Sequence, residues 1–177
     1  YSMNYVSRAE LSLLAILVNN NWKRPVYFTT TTPETNYIGL DKYLVSECFA
    51  LKLMPIDRSI LIADEEEQLM NVNSIYNNII NKYTWGNLSK SKYLDPDSYR
   101  YISLYVSGIF GETAQNLLQQ GKKEEARKVV NNAYDNMPKR TLQMSEPMSY
   151  VILVDAMYKA GEAAKAREVS LRNLEYI

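Results

Sequence analysis

The spacing of apolar positions changes along this chain. Leu11, Leu13, Leu14, Leu17 and Val18 follow Ser7-Arg8-Ala9-Glu10, a capping-box pattern in which Ser7 accepts from the Glu10 backbone and the Glu10 carboxylate reaches back. This predicts a helix over residues 8–20, stopped by Asn19-Asn20-Asn21, which tolerate left-handed backbone. Pro25 then precedes Val26-Tyr27-Phe28-Thr29-Thr30-Thr31, a β-branched and aromatic run that reads as a strand. Pro33 and Gly39 bracket a loop, residues 40–44 suit one helical turn, and residues 47–54 place Phe49, Leu51 and Leu53 on one face of a second strand before Pro55. Two strands alone are marginal, so the pattern predicts a small two-strand sheet covered by the first helix.

From Asp64 the period becomes helical. Acidic residues load the first turn, and Leu69, Val72, Tyr76, Ile79, Ile80 and Tyr83 recur at three- and four-residue spacing. Trp85-Gly86-Asn87 and Ser89-Lys90-Ser91 form a loop; Asp95-Pro96 then supplies a cap and a first-turn proline for a helix to about residue 120. Tyr99, Ile102, Val106, Ile109, Phe110, Ala114 and Leu117 mark its buried face. The fold class is α+β, mostly α: an α/β module over residues 1–62, a bridging helix and loop over 63–95, and helical repeats over 96–177.

The repeat rests on Gly121-Lys122-Lys123-Glu124-Glu125-Ala126-Arg127 and Gly161-Glu162-Ala163-Ala164-Lys165-Ala166-Arg167, which share G-x-x-x-x-A-R. The glycines turn the chain between helices, and the small alanines let the helices of a hairpin approach. Phe110, Ala114, Leu117, Gly121, Ala126, Val130, Ala133 and Pro138 resemble one tetratricopeptide (TPR) repeat; Tyr150, Val154, Met157, Gly161 and Ala166 resemble a second, with Ser170 and Asn173 as departures. Residues 139–146 lengthen the connection, and two repeats are too few for a self-sufficient solenoid, so they are expected to dock on the first half.

Composition narrows the chemistry. Twenty Lys+Arg against twenty Asp+Glu leave no electrostatic footprint for nucleic acid. The absence of histidine removes imidazole bases, Ser-His-Asp and Cys-His systems and His-based zinc sites. The single Cys48 forms no internal disulfide and reads as a small buried thiol. The longest apolar stretch, residues 11–18, is far short of the roughly 18–20 residues that span a bilayer. The start at Tyr1, without an initiator Met or a signal pattern, reads as an excerpt of a longer or processed chain.

The stretch from Arg8-Ala9-Glu10-Leu11 through Asn21-Trp22-Lys23-Arg24-Pro25-Val26-Tyr27-Phe28, then Tyr37-Ile38-Gly39-Leu40 with Tyr43, resembles the C-terminal part of a family of bacterial polytopic membrane proteins. That family is related to protein O-mannosyltransferases of the GT-C superfamily. The run Glu47-Cys48-Phe49-Ala50-Leu51-Lys52-Leu53-Met54-Pro55-Ile56, then Lys82-Tyr83-Thr84-Trp85-Gly86-Asn87 and Tyr93-Leu94-Asp95, is similar to it too, as is the TPR-like tail. Its members usually carry Gly at Cys48 and Tyr at Leu51. The resemblance implies an extracytoplasmic, non-catalytic domain on the periplasmic face of the inner membrane, with the catalytic and lipid-linked-sugar region upstream and no cofactor here. It implies as partners an acceptor protein or peptide, the upstream transmembrane region, and a sugar.

Trp22, Lys23, Arg24, Tyr27 and Glu47 are the candidate binding residues, since an Arg fork beside aromatic faces suits an anionic or sugar ligand at a helix-to-strand corner. The plainer reading has Trp22 and Tyr27 filling the joint while Arg24 pairs with Glu47 or Glu10. Asp64-Glu65-Glu66-Glu67 lacks the ligand spacing of a calcium loop and reads as helix-terminal acid, and Asp95 with Asp97 reads as capping rather than a hydrolase carboxylate pair, so no metal or catalytic residue is assigned. The tyrosines of the hairpins, among them Tyr134, Tyr150 and Tyr158, suit half-buried packing or a peptide-binding face. A free-standing TPR-type scaffold or carbohydrate-binding module is the competing function.

Overall fold

A computed structural model describes residues 6–57, 70–92, 95, 102–138 and 147–174. The described residues form two compact units, one ending at Asn71 and the other beginning at Val72.

In the first unit, helix α1 spans Arg8–Asn20, and its capping box is formed: Ser7 N donates to Glu10 Oε2 at 2.5 Å and Glu10 N to Ser7 Oγ at 3.2 Å. The bond from the Ser7 backbone, and then the Ser7 side chain, hold the Glu10 carboxyl below its ordinary range. The sheet has three strands rather than two: β1 (Tyr27–Thr29), β2 (Leu44–Ser46) and β3 (Ala50–Leu53), antiparallel in the order β1-β3-β2. The single strand predicted over residues 47–54 is interrupted at its start. Cys48 turns the chain at φ 78°, where glycine is at ease, and Glu47 N closes the turn on Ala50 O at 2.9 Å. The three residues before that turn become β2, and Phe49 is exposed rather than on the buried face. The glycine usual at this place in the resembling family suits this backbone.

Phe28 pairs with Leu51 in register, and Leu44 with Leu53, so one sheet face carries Phe28, Leu51, Leu53 and Leu44. Tyr37 completes this core, its ring edge-on to Phe28 at 5.3 Å and its hydroxyl donating to Thr32 O at 3.1 Å. The predicted helical turn is a 3₁₀ turn at Asp41–Tyr43. Helix α1 covers this core far less than its apolar sequence predicts: it has no buried residue, and Leu17 is its side chain in the core cluster.

The second unit begins with α2 (Val72–Asn81), whose Val72, Ile75 and Ile79 are buried at helical spacing. The acidic start expected for this helix, Asp64 to Glu67, lies outside the described residues, as do Asp97, Tyr99, Tyr101 and the connection 139–146. The Trp85 indole donates to Asn132 Oδ1 at 2.9 Å and packs 5.7 Å from the Phe110 ring, pinning its loop to the helices beyond. A π-helical turn, Ile102–Val106, runs into α3 (Ser107–Gln119), followed by α4 (Lys123–Asn136), α5 (Pro147–Ala160) and α6 (Ala163–Leu174). Two helical hairpins are therefore present where the repeat predicts them, with Gly121 and Gly161 at φ 76° and 94° in the turns and Ala126 and Ala166 fully buried.

Between the hairpins, α3 crosses α5 at Gly111. A β-carbon there would stand 2.8 Å from both Ile152 Cγ2 and the Leu153 backbone nitrogen, so only glycine permits this approach. A second set of contacts links α4 to α6 and the turn before it. Arg127 Nε donates to Glu162 Oε1 at 2.5 Å, Asn131 Nδ2 joins at 3.1 Å, and Lys165 Nζ donates to Asn131 Oδ1 at 2.6 Å. The Tyr134 hydroxyl donates to Glu168, which also pairs with Arg172. Arg127 and then Asn131 hold the Glu162 carboxyl below its ordinary value of 4.5.

Gly111→Ala is expected to cost about 1–3 kcal/mol by overpacking, whereas Gly108→Ala on the same helix, with open space around it, is expected to gain up to about 1 kcal/mol; urea unfolding of the two variants checks the sign of each. Because Glu162 is more acidic folded than unfolded, its contribution is present above pH 4.5 and is lost as pH falls through the folded value. Glu162→Gln should flatten that part of the acid-side loss, read as urea midpoints at pH 6 and pH 3.

Candidate functional site

The turn after α1 is built by Asn20. Its Nδ2 donates to Arg24 O at 2.6 Å and its Oδ1 accepts from Arg24 N at 3.2 Å, so one amide clamps both backbone groups of the residue that precedes Pro25. Within the clamp, Asn21 and Trp22 are left-handed, at φ 44° and 57°. Asparagine takes this conformation readily; for an indole it is an outlier, held because the flanking bonds leave no alternative. The consequence is a tryptophan 57% exposed at the corner between helix and sheet.

Trp22 forms part of the wall of an open cavity of about 340 Å³. Leu17 and Asn20 of α1 contribute from one side, Val26 and Leu53 from the core face of the sheet, and Leu40, Tyr43, Met54 and Pro55 from the loops. The Tyr43 and Met54 segments are joined by a bond from Met54 N to Tyr43 O at 2.8 Å, and the Lys42 ammonium stands 5.2 Å from the centre of the Tyr43 ring while pairing with Asp57 at 3.0 Å. A mostly apolar recess with aromatic rims is suited to taking up an apolar or ring-shaped group.

The five candidate residues divide. Trp22 lines the cavity; Lys23 and Arg24 are exposed beside it and do not. Tyr27 pairs in register with Lys52, on the sheet face opposite Phe28 and Leu51, and belongs with Glu47. Glu47 accepts from the Tyr27 hydroxyl at 3.0 Å and from Asn71 Nδ2 at 3.3 Å, and faces Lys52 Nζ at 3.5 Å, with its side chain only 12% exposed. Partial burial, and then the bond and charge of Glu47, raise the Tyr27 hydroxyl above its ordinary 10.0. This group is a brace: it ties β1, the β2–β3 turn and the segment beside β2, where Asn71 N also donates to Ser46 O at 3.0 Å. Arg24 pairs with neither acid proposed for it, since Glu10 is held by Ser7 and Glu47 by the brace. Among the described residues no three His, Cys, Asp or Glu side chains converge as a metal site.

The lining residues that sequence reasoning did not select are Leu17, Asn20, Val26, Leu40, Tyr43, Leu53, Met54 and Pro55. All of them lie in the stretches that carry the family resemblance, and those stretches meet only on folding. No helix among the described residues is long and apolar enough to cross a membrane.

Residues 1–74 match the family model of TMEM260-associated domain 2, a stretch that contains α1, the whole sheet and the cavity but less than half of the chain. No curated protein and no solved structure gives a significant match.

Glu47→Ala should destabilise the first unit by about 1–3 kcal/mol, the range for removing a charged acceptor from several donors. It should also return the Tyr27 hydroxyl towards 10.0, followed in the ¹³Cζ resonance of labelled tyrosine.

Proposed function

We propose that this chain is a non-catalytic, extracytoplasmic C-terminal domain of a membrane-embedded glycosyltransferase-like protein, one that recognises an acceptor protein or a partner. In a bacterium that location is the periplasmic face of the inner membrane. The observation that carries the reading is the convergence on one cavity of Trp22, Leu40, Tyr43, Met54 and Pro55, from three separate stretches resembling the C-terminal part of that family. The cavity also falls inside the part matched by TMEM260-associated domain 2, and TMEM260 is a suspected protein O-mannosyltransferase. The recess offers an apolar, aromatic-rimmed seat and no acid–base pair, which suits holding a polypeptide side chain or a sugar ring rather than transforming it. The sugar-transferring chemistry then belongs to the upstream transmembrane region.

A second reading, a TPR-type interaction scaffold, is favoured by the two hairpins themselves. Val151 and Tyr158 of α5 are exposed one above the other, beside Asp155, which accepts from Gln115 of α3 at 2.8 Å.

The readings separate by size and fractionation. Under the first, an antibody to this chain detects in native cells a membrane-bound band several-fold heavier than 20.4 kDa, digested by protease added to spheroplasts. A soluble band near that mass would sink it and leave the scaffold. In the membrane-bound protein, Trp22→Ala should raise the acceptor KM about tenfold, the loss of one buried aromatic contact of roughly 1.4 kcal/mol, with kcat and unfolding midpoint unchanged.

A further inference from the structure

Helix α1 carries an apolar surface that its own unit leaves uncovered. Leu11, Leu14 and Val18 fall at i, i+3 and i+7, one stripe along the helix, and are 56%, 44% and 79% exposed. Leu17, three residues from Leu14 and beside it on the helix surface, faces the sheet core, so the stripe is the part of the apolar face that the core leaves uncovered. Burial of three such side chains would be favourable, and their exposure at these fractions on one helix is what marks a contact surface.

The charge around the stripe says what covers it. Arg8 stands at one end of α1 and Lys23 and Arg24 just past the other, none of them in an ion pair among the described residues. Between Tyr1 and Pro33 the only acid is Glu10, and its carboxylate is taken by the capping box. A chain with no net charge thus places three cations and one engaged anion around its exposed apolar helix. Trp22, 57% exposed at the end of the same element, adds the ring type that settles at the boundary between headgroups and acyl chains. Thirteen residues give a helix about 20 Å long, which lies along a surface and does not cross it.

We propose that α1 docks, parallel to the surface, into the headgroup–acyl boundary of an anionic bilayer, with Leu11, Leu14 and Val18 immersed and Arg8, Lys23 and Arg24 at the phosphates. This goes beyond acceptor recognition and stands or falls without it, because the test uses the 177-residue chain alone, with no acceptor or parent protein present.

The test is flotation with vesicles of phosphatidylglycerol and phosphatidylethanolamine, set against vesicles of phosphatidylcholine, while tryptophan emission is recorded. The chain should float with the anionic vesicles, several-fold less with neutral ones or in 0.5 M salt. Its emission should shift to the blue, and Trp22→Phe, which keeps Trp85, should abolish the shift. The double variant Leu11→Asp, Val18→Asp should lower partitioning about tenfold or more, as loss of the apolar contribution requires; both side chains are already in solvent, so an unchanged unfolding midpoint certifies the fold. Absence of flotation, equal flotation with neutral and anionic vesicles, or flotation that survives the double substitution would each overturn the proposal. So would a concentration-dependent dimer that the double variant dissolves in the absence of vesicle binding, because a second copy would then be what covers the stripe.

Discussion

At Gly111 the α3 backbone packs directly against Ile152 and the Leu153 backbone of α5, and the second unit is organised around that contact. A crossing this close brings Ala114 and Leu117 of one helix and Leu153, Ala156 and Met157 of the other to full burial without a large side chain at the crossing point. It also sets the separation at which the outer helices follow. With α3 and α5 in contact, Arg127, Asn131 and Tyr134 on α4 come within hydrogen-bonding reach of Glu162, Lys165 and Glu168. The polar contacts lie at a partly buried seam; the apolar crossing supplies most of the stabilisation, and the polar set fixes the register.

The first unit obeys a different constraint. Its core is small, so polar clamps do part of the work that packing does in the hairpins: the Asn20 amide on the Arg24 backbone, the Glu47 carboxylate on the Tyr27, Lys52 and Asn71 side chains, and the tight turn at Cys48. Short strands held by such clamps leave a recess open beside Trp22 and leave α1 attached through Leu17 with the rest of its apolar face uncovered. The recess and the core share Leu17, Val26, Leu40, Tyr43 and Leu53, whereas Trp22 and the exposed leucines of α1 stand outside that core.

Features governed by neighbours in sequence were legible from the outset. The capping box and the Asn stop define α1 to the residue, and the paired glycines locate both hairpin turns. Features governed by distant partners were not. β2 is three residues long and carries no signal that distinguishes it from a loop, and the break at Cys48 occurs at a residue whose type does not announce a left-handed turn. Gly111 reads as an ordinary weak point of a helix until Leu153 is seen against it. Trp22, selected as an aromatic face at the helix-to-strand corner, lines the cavity, whereas Glu47, chosen as a possible ligand, has its oxygens occupied within the fold.

The contact between Arg127 and Glu162 has a direction. Arg127 ends the first G-x-x-x-x-A-R and Glu162 follows the glycine of the second. The place equivalent to Glu162 in the first hairpin is held by Lys122, which donates to Asn73 of α2 at 2.9 Å, and the place equivalent to Arg127 in the second is held by Arg167, which is exposed. The two ends of the pair of hairpins are therefore chemically unlike. At the first hairpin the lysine is already joined to α2, so among the described residues the repeated arginine meets a repeated-position acid at the seam between the hairpins alone.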